Sequence, residues 1–216
     1  MAADPPERRV ATTRPACPIA HRHRATTART THPGSRCSPS RRNDTEVLVA
    51  RGLRIAITDN GIDEESLLVS PTISRPDPDD CERWSRESGR PQGQSFSDAM
   101  DVRLITGRPF DELGPAHVWL RLTTPILVGE EIHPLDRAIV AGDYANGMSN
   151  VVPFTTHRYV NSDLTVALHR YPAGEWISLD ASTHARRDGH GTAHGFLSDR
   201  TQPVGHTIQS LVIDSR

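Results

Sequence analysis

The pattern that most restricts the fold begins at residue 100 and runs to the end of the chain. Two strand-like runs, "MDVRLITG" and "AHVWLRLTT", come first, and one helical pattern, "PLDRAIVAGDYANG", follows them. Four further strand candidates come next, joined by short turns: "YVNSDLTVALHR", "EWISLDASTHAR", "GTAHGFLSD" and "GHTIQSLVID". Because short connections favour antiparallel neighbours, these residues predict an antiparallel sheet that carries a single helix.

The helix is predicted near residues 133–146. Pro134 suits a first helical position, and Asp136 lies in the first turn, where the helix dipole favours an acidic side chain. Gly147 is a plausible stop after the last helical turn. One face of the helix, which we expect to be buried, is shared by Leu135, Ala138, Ile139 and Gly142.

Three polar residues interrupt this apolar pattern. An unpaired carboxylate at the border of a buried helix face is costly, so we expect Asp143 to be exposed, paired or used in chemistry. Asn161 lies on the polar face of its strand, which could be an ordinary solvent-facing surface. Gln209 lies in an apolar strand and needs partners for its amide, which another strand could supply. The residues alone leave structural and catalytic roles open for all three.

The first 98 residues lack this regularity. Residues 1–43 are rich in Arg, Thr and Pro, carry no acidic residue after Glu7, and are predicted to be a disordered segment. Residues 44–58 carry a strand pattern, and residues 59–98, rich in Pro, Asp and Ser, are predicted to be a linker. The ordered domain is therefore predicted over residues 99–216.

The Arg-rich front has three explanations that remain open. It could be a basic tail for nucleic acid or a membrane surface. It could be a transit-like segment, although its prolines disfavour the required amphipathic helix. It could also result from a frameshift or a wrong start codon near Asn43. The chain has no Lys among its 25 Lys and Arg positions, a usage that GC-rich coding DNA tends to produce.

Composition limits the partners and the compartment. The net charge of −2 gives no overall attraction to nucleic acid, and no apolar run is long enough to span a membrane. Cys17, Cys37 and Cys81 form no CxxC pair and no disulfide framework, which fits a reducing environment. We therefore expect a cytoplasmic protein with neither a nucleic-acid nor a membrane partner.

Five segments occur in a characteristic order: "GPAHVWLRL", "AGDYANGMSN", "NSDLTVALHR", "GEWISLDAST" and "IQSLVI". With them, residues 100–216 resemble the C-terminal half of double hot-dog acyl-CoA thioesterases, in particular the actinobacterial branch of the thioesterase II group. The resemblance implies an α+β hot-dog fold, in which an antiparallel sheet wraps around one central helix. It also implies that "TEVLVARGLRIAI" is the last strand of a first hot-dog whose earlier part this chain lacks, which supports the frameshift explanation.

The resemblance further implies that the protein hydrolyses fatty acyl-CoA without a cofactor. The family's helix Asp, strand polar residue and last-strand Gln fall on Asp143, Asn161 and Gln209, although better-known members carry Thr where this chain has Asn161. Hydrolysis needs an oriented water and a base, so Asp143 would be the base while the two amides fix the water. A covalent route is not expected, because the chain has no GxSxG elbow and no Cys in its regular part.

The competing function is a non-catalytic hot-dog module that binds acyl chains or only forms an interface. The family builds its substrate tunnel between two hot-dogs, so a homo-oligomer would have to supply the second one. Without it, we expect the chain to be weakly active or inactive. His190 and His194 have the spacing of a helical metal pair, but the glycines around them disfavour a helix, so no metal site is predicted.

Overall fold

The structure, a computed structural model, describes residues 37–42, 45–53, 61–62, 74–84 and 96–216. The chain divides into two units, Met1–Ser66 and Leu67–Arg216. In the first unit, β1 (Cys37–Arg42) pairs antiparallel with β2 (Thr45–Arg51). β2 lies within the predicted strand 44–58.

The predicted disorder of residues 1–43 falls mostly outside the described residues. At the end of that range the structure differs from the prediction, because Cys37–Arg42 form a strand. A two-stranded antiparallel pair is held by backbone hydrogen bonds, which need no apolar alternation. The sequence therefore carries no pattern that would reveal β1.

In its described residues, the second unit is one antiparallel sheet with two consecutive α-helices and two short 3-10 helices, Pro78–Asp80 and Phe96–Ala99. Its strands are β3 (Glu82–Trp84), β4 (Met100–Thr106), β5 (Ala116–Leu122), β6 (His157–Asn161), β7 (Thr165–Leu168), β8 (Trp176–Ala185), β9 (His190–Ser198) and β10 (Pro203–Ser215). They lie in the order β3-β4-β5-β8-β9-β10-β6, and β7 pairs with β10 next to β6. The helices are α1 (Pro134–Asp143) and α2 (Ala145–Met148). This is the predicted antiparallel sheet with its helix packed on one face.

Small residues allow the helices to lie close to the sheet. A Cβ at Gly195 in β9 would come within 2.5 Å of Cγ2 of Thr207 and within 2.6 Å of Cδ1 of Leu179. A Cβ at Gly142 in α1 would lie 3.1 Å from Oγ1 of Thr207. Since neither glycine carries a side chain, the end of α1 packs directly on β10. That close packing brings the last residues of α1 within hydrogen-bond reach of the sheet.

The start of the helix is as predicted, but its end is not. Pro134 is the first helical residue, and His133 and Asp136 form a capping box in which each side chain accepts from a backbone N–H of the turn. The helix breaks after Asp143 and resumes as α2, which ends at Met148, one residue beyond the predicted stop at Gly147.

The predicted buried face of the helix is also partly wrong. Ile139 is 39% exposed, whereas Ala138 and Ala141 are almost completely buried. The alanines face the sheet because their small side chains permit close contact. Ile139 follows Ala138 by about 100° around the helix and therefore points away from the sheet.

The linker is shorter than the predicted range 59–98, because residues 78–84 belong to the sheet domain. Glu82–Trp84 pair with β4, and the buried Cys81 packs with Trp119 and Trp176 on the sheet face opposite the helix. Nε1 of Trp119 donates to the carbonyl of Pro76 at 3.0 Å. A few anchoring residues fix this Pro- and Asp-rich segment, and such anchors leave no periodic pattern in the sequence. Residues 54–60, 63–73 and 85–95 lie outside the described residues.

The predicted strand "YVNSDLTVALHR" is two strands, β6 and β7, both paired with β10. Between them, Asp163 accepts two hydrogen bonds from Ser210, from its backbone N–H at 2.7 Å and from its hydroxyl at 3.1 Å. These bonds replace the regular pairing at this point. Asn161 is consequently the last residue of β6. The other three strand predictions in this half correspond to β8, β9 and β10.

Candidate active site

The three predicted site residues lie together where α1 ends against the sheet. Asp143 is the last residue of α1, Asn161 is the last residue of β6, and Gln209 lies in β10. Nδ2 of Asn161 donates to Oδ1 of Asp143 at 3.3 Å. Nε2 of Gln209 donates to the same Oδ1 at 3.2 Å. Two amides that lie 18 and 66 positions from Asp143 in the chain thus share one of its carboxylate oxygens.

Gln209 occupies the break between the two helices. It is completely buried on the face of β10 that packs on the helices. Its Nε2 donates to the backbone carbonyl of Asp143 at 3.1 Å, and its Oε1 accepts from the backbone N–H of Asn146 at 3.1 Å. Helix ends leave carbonyl and N–H groups unpaired, and a side chain inserted into the helical ladder can bond both. A single amide therefore closes the break at which the carboxylate lies.

Asp143 itself is exposed, unlike Gln209. Both amide donors bond Oδ1, and Oδ2 accepts no hydrogen bond in the part of the chain that the structure describes. The carboxylate is thus held from one side while its second oxygen stays accessible. This geometry allows Oδ2 to accept a proton from a water molecule in front of the site.

The sequence analysis missed Asn146 of α2, which joins two members of the cluster. Besides the bond from its backbone, its side-chain Nδ2 donates to Oδ1 of Asn161 at 3.4 Å, and only 6% of the residue is exposed. A signal was present, because Asn146 follows Asp143 by three residues and so would lie on the same side of a helix.

The histidine pair considered for metal binding lies on a strand. His190 and His194 both belong to β9, and His194 contacts the ring of His184 edge-on. Within residues 74–84 and 96–216, no group of three or more His, Cys, Asp or Glu side chains is arranged to hold a metal ion. No helix in the described part of the chain is long and apolar enough to cross a membrane.

Comparison with protein families identifies the domain. Residues 78–213, more than half of the chain, match the model of the acyl-CoA thioesterase C-terminal domain. The chain belongs to this family. The match confirms the resemblance seen in the sequence, and its start at residue 78 agrees with the early boundary of the sheet domain. Among curated proteins, none is similar enough to count as a match.

Solved structures support the same fold for this thioesterase-family chain. Acyl-CoA thioesterase II TesB2 from Mycobacterium marinum is 18% identical, with a TM-score of 0.53 over 88% of this chain and 72% of that one. A conserved protein of unknown function with a hot dog fold from Alicyclobacillus acidocaldarius is 17% identical, with a TM-score of 0.50 over 83% of this chain and 72% of that one. At such identities the likeness concerns the fold alone, and it confirms the predicted hot-dog.

Proposed function

We propose that this chain hydrolyses fatty acyl-CoA thioesters, with Asp143 activating the attacking water. The observation that carries the proposal is the shared Oδ1: two amides hold one oxygen of Asp143, and the other oxygen accepts nothing among the described residues. The family match supplies the class of reaction.

In the proposed reaction the water oxygen attacks the thioester carbonyl carbon while Oδ2 of Asp143 accepts a proton from that water. The tetrahedral intermediate then collapses, the C–S bond breaks, and the sulfur leaves with the electron pair and takes up the proton held on Oδ2 of Asp143, which restores the carboxylate. The products are a fatty acid and free coenzyme A. Asn161 is exposed and has a second N–H beyond the one that bonds Asp143, so it can also bond the water.

We further propose that the cytoplasmic enzyme works as a homo-oligomer. Asp143 and Asn161 are exposed on this domain, whereas hydrolysis of a fatty acyl thioester requires the acyl chain of the substrate to be enclosed by protein. Val160 in β6 and Val212 in β10 lie opposite each other and are 58% and 50% exposed, at an edge of the sheet. Exposed apolar side chains at a sheet edge favour association. Sedimentation of the full chain tests this part of the proposal.

The test of the reaction is Asp143→Asn, assayed by thiol release from acyl-CoA substrates of short, medium and long chain length. Loss of a positioned base lowers turnover about 10²-fold to 10⁴-fold. Asp163→Asn is the matched control, because Asp163 is an exposed carboxylate two residues from Asn161, and its bonds from Ser210 hold the link between β6 and β7. Wild-type turnover by Asp143→Asn would refute the role of the carboxylate. Binding of acyl-CoA without thiol release by the wild type would instead favour the non-catalytic module.

A further inference from the structure

Two groups determine how the side-chain amides around Asp143 are oriented: the backbone N–H of Asn146 and the carboxylate of Asp143. A backbone N–H can only donate, so Oε1 of Gln209 must face the N–H of Asn146, and Nε2 must face Asp143. An ionised carboxylate can only accept, so Nδ2 of Asn161 must also face Asp143. The carbonyl oxygen of Asn161 is therefore left facing Asn146.

Asn146 completes this arrangement through its side chain. Its Nδ2 donates to the oxygen of Asn161 that faces it, at 3.4 Å. Its own Oδ1 is buried and has no hydrogen-bond partner among the described residues. Leaving a buried acceptor unpaired is costly, so the hydrogen bonding of Asn146 itself does not explain this position of its side chain. Among the described residues, the side chain makes one hydrogen bond, and that bond goes to Asn161.

We propose that Asn146 is a positioning residue of the thioesterase site, which orients the Asn161 amide so that its N–H groups face Asp143 and the water. The backbone of residue 146 orients Gln209 in the same way. Without the side chain of Asn146, the exposed Asn161 amide can turn and present its oxygen to the carboxylate. This inference rests on the proposed hydrolysis at the same site and adds a fourth residue to it.

The first experiment reads the orientation without turnover. Side-chain amide resonances of Asn161 and Gln209 are compared by NMR in the wild-type chain and in Asn146→Ala. The Asn161 resonances are expected to shift, because they lose their partner. Those of Gln209 are expected to stay in place, because the backbone N–H of residue 146 remains. Unchanged Asn161 resonances would overturn the inference.

The second experiment is a double-substitution cycle with Asn161→Thr. A hydroxyl rotates freely and can donate to Asp143 without an orienting partner. Asn146→Ala is therefore expected to lower kcat about fivefold to tenfold in the wild-type background, with KM little changed, and to cause no further loss in the Asn161→Thr background. Equal losses in both backgrounds would show a merely structural role and overturn the inference.

Two further variants keep these results interpretable. Asn146→Ser replaces Asn146→Ala if the latter does not fold, since its short hydroxyl does not reach Asn161. Asn150→Ala is the matched control: Asn150 is 1% exposed, and its Nδ2 bonds the carbonyl of Val152. It is expected to destabilise the fold without moving the Asn161 resonances. If the wild type releases no thiol from any acyl-CoA, the proposed function fails, while the NMR comparison still judges the orientation.

Discussion

Nε2 of Gln209 bonds two oxygens of Asp143, the backbone carbonyl at 3.1 Å and the side-chain Oδ1 at 3.2 Å. The first bond closes the end of α1, and the second holds the carboxylate. The break in the helix and the candidate active site are therefore one feature. A substitution at Gln209 must affect both the stability of the fold and the chemistry.

For Gln209→Ala we expect a loss in stability of about 1–3 kcal/mol, because the buried N–H of Asn146 and the carbonyl of Asp143 lose their partner. Turnover should also fall, but less than for Asp143→Asn, since Gln209 orients the carboxylate and does not accept the proton. Urea unfolding and thiol release measure the two effects. Ile208→Ala is the control, because Ile208 is 41% exposed on the other face of β10, and a loss equal to that of Gln209→Ala would contradict the prediction.

The site could be predicted only in part from the sequence. Asp143, Asn161 and Gln209 were assigned by resemblance, and their residue types alone left structural roles open. Asn146 was missed because its importance depends on the helix break, which brings its backbone N–H to Gln209. A continuous helix would have bonded that N–H internally. The break itself follows from tertiary contacts with β10, which a local pattern does not contain.

For Asn161→Thr we expect activity close to wild type, because a threonine hydroxyl can replace the amide as a donor to Asp143. Asn161→Ala has no donor and should lower turnover about fivefold to tenfold, the effect of losing one hydrogen bond. Steady-state thiol release on the same substrates compares the two. If Thr proved as damaging as Ala, the role of Asn161 would depend on the amide itself and not on donation to the carboxylate.

The helix and most strands could be predicted because their apolar residues recur with the right period. The segment 74–84 could not, because its strand is only three residues long and the rest is held by single contacts: Cys81 with two tryptophans, and the guanidinium of Arg75 lying 5.6 Å from the ring centre of Trp119. Ile139 was misplaced for a similar reason. Its apolarity predicted burial, but the close approach of the helix to the sheet selected the alanines instead.

A comparison of chains that begin at residues 74 and 99 tests where the domain starts. Removing residues 74–98 would uncover Trp119 and Trp176, which are 2% and 5% exposed. We expect the shorter chain to be less stable by about 2 kcal/mol or more, because buried aromatic surface is returned to water. Its tryptophan emission should shift to longer wavelength. Equal stability and emission would show that the linker prediction over 59–98 was right.

The turn between β9 and β10 depends on one buried acid, Asp199. Its carboxylate accepts five hydrogen bonds, from Nη1 of Arg170, from the backbone N–H groups of Ala173, Thr201 and Gln202, and from the hydroxyl of Thr201. Burial alone would raise the pKa of Asp199, but Arg170 and the backbone donors outweigh it and hold that pKa well below its usual range.

Asp199→Asn should therefore lower the free energy of unfolding at neutral pH by about 3 kcal/mol, because Arg170 loses its buried partner. The folded-state pKa of Asp199 is depressed, so its stabilisation is fully present above the unfolded-state value of about 3.9 and is lost as pH falls below that value. The difference between wild type and variant should accordingly shrink in acid. Urea unfolding at a series of pH values measures it.

Asp214→Asn is the control at neutral pH, since Asp214 forms an exposed pair with Arg158 at 3.6 Å and its loss should cost less than about 1 kcal/mol. A difference between wild type and Asp199→Asn that stayed constant down to low pH would mean that the Asp199 carboxylate is not stabilised in its charged form.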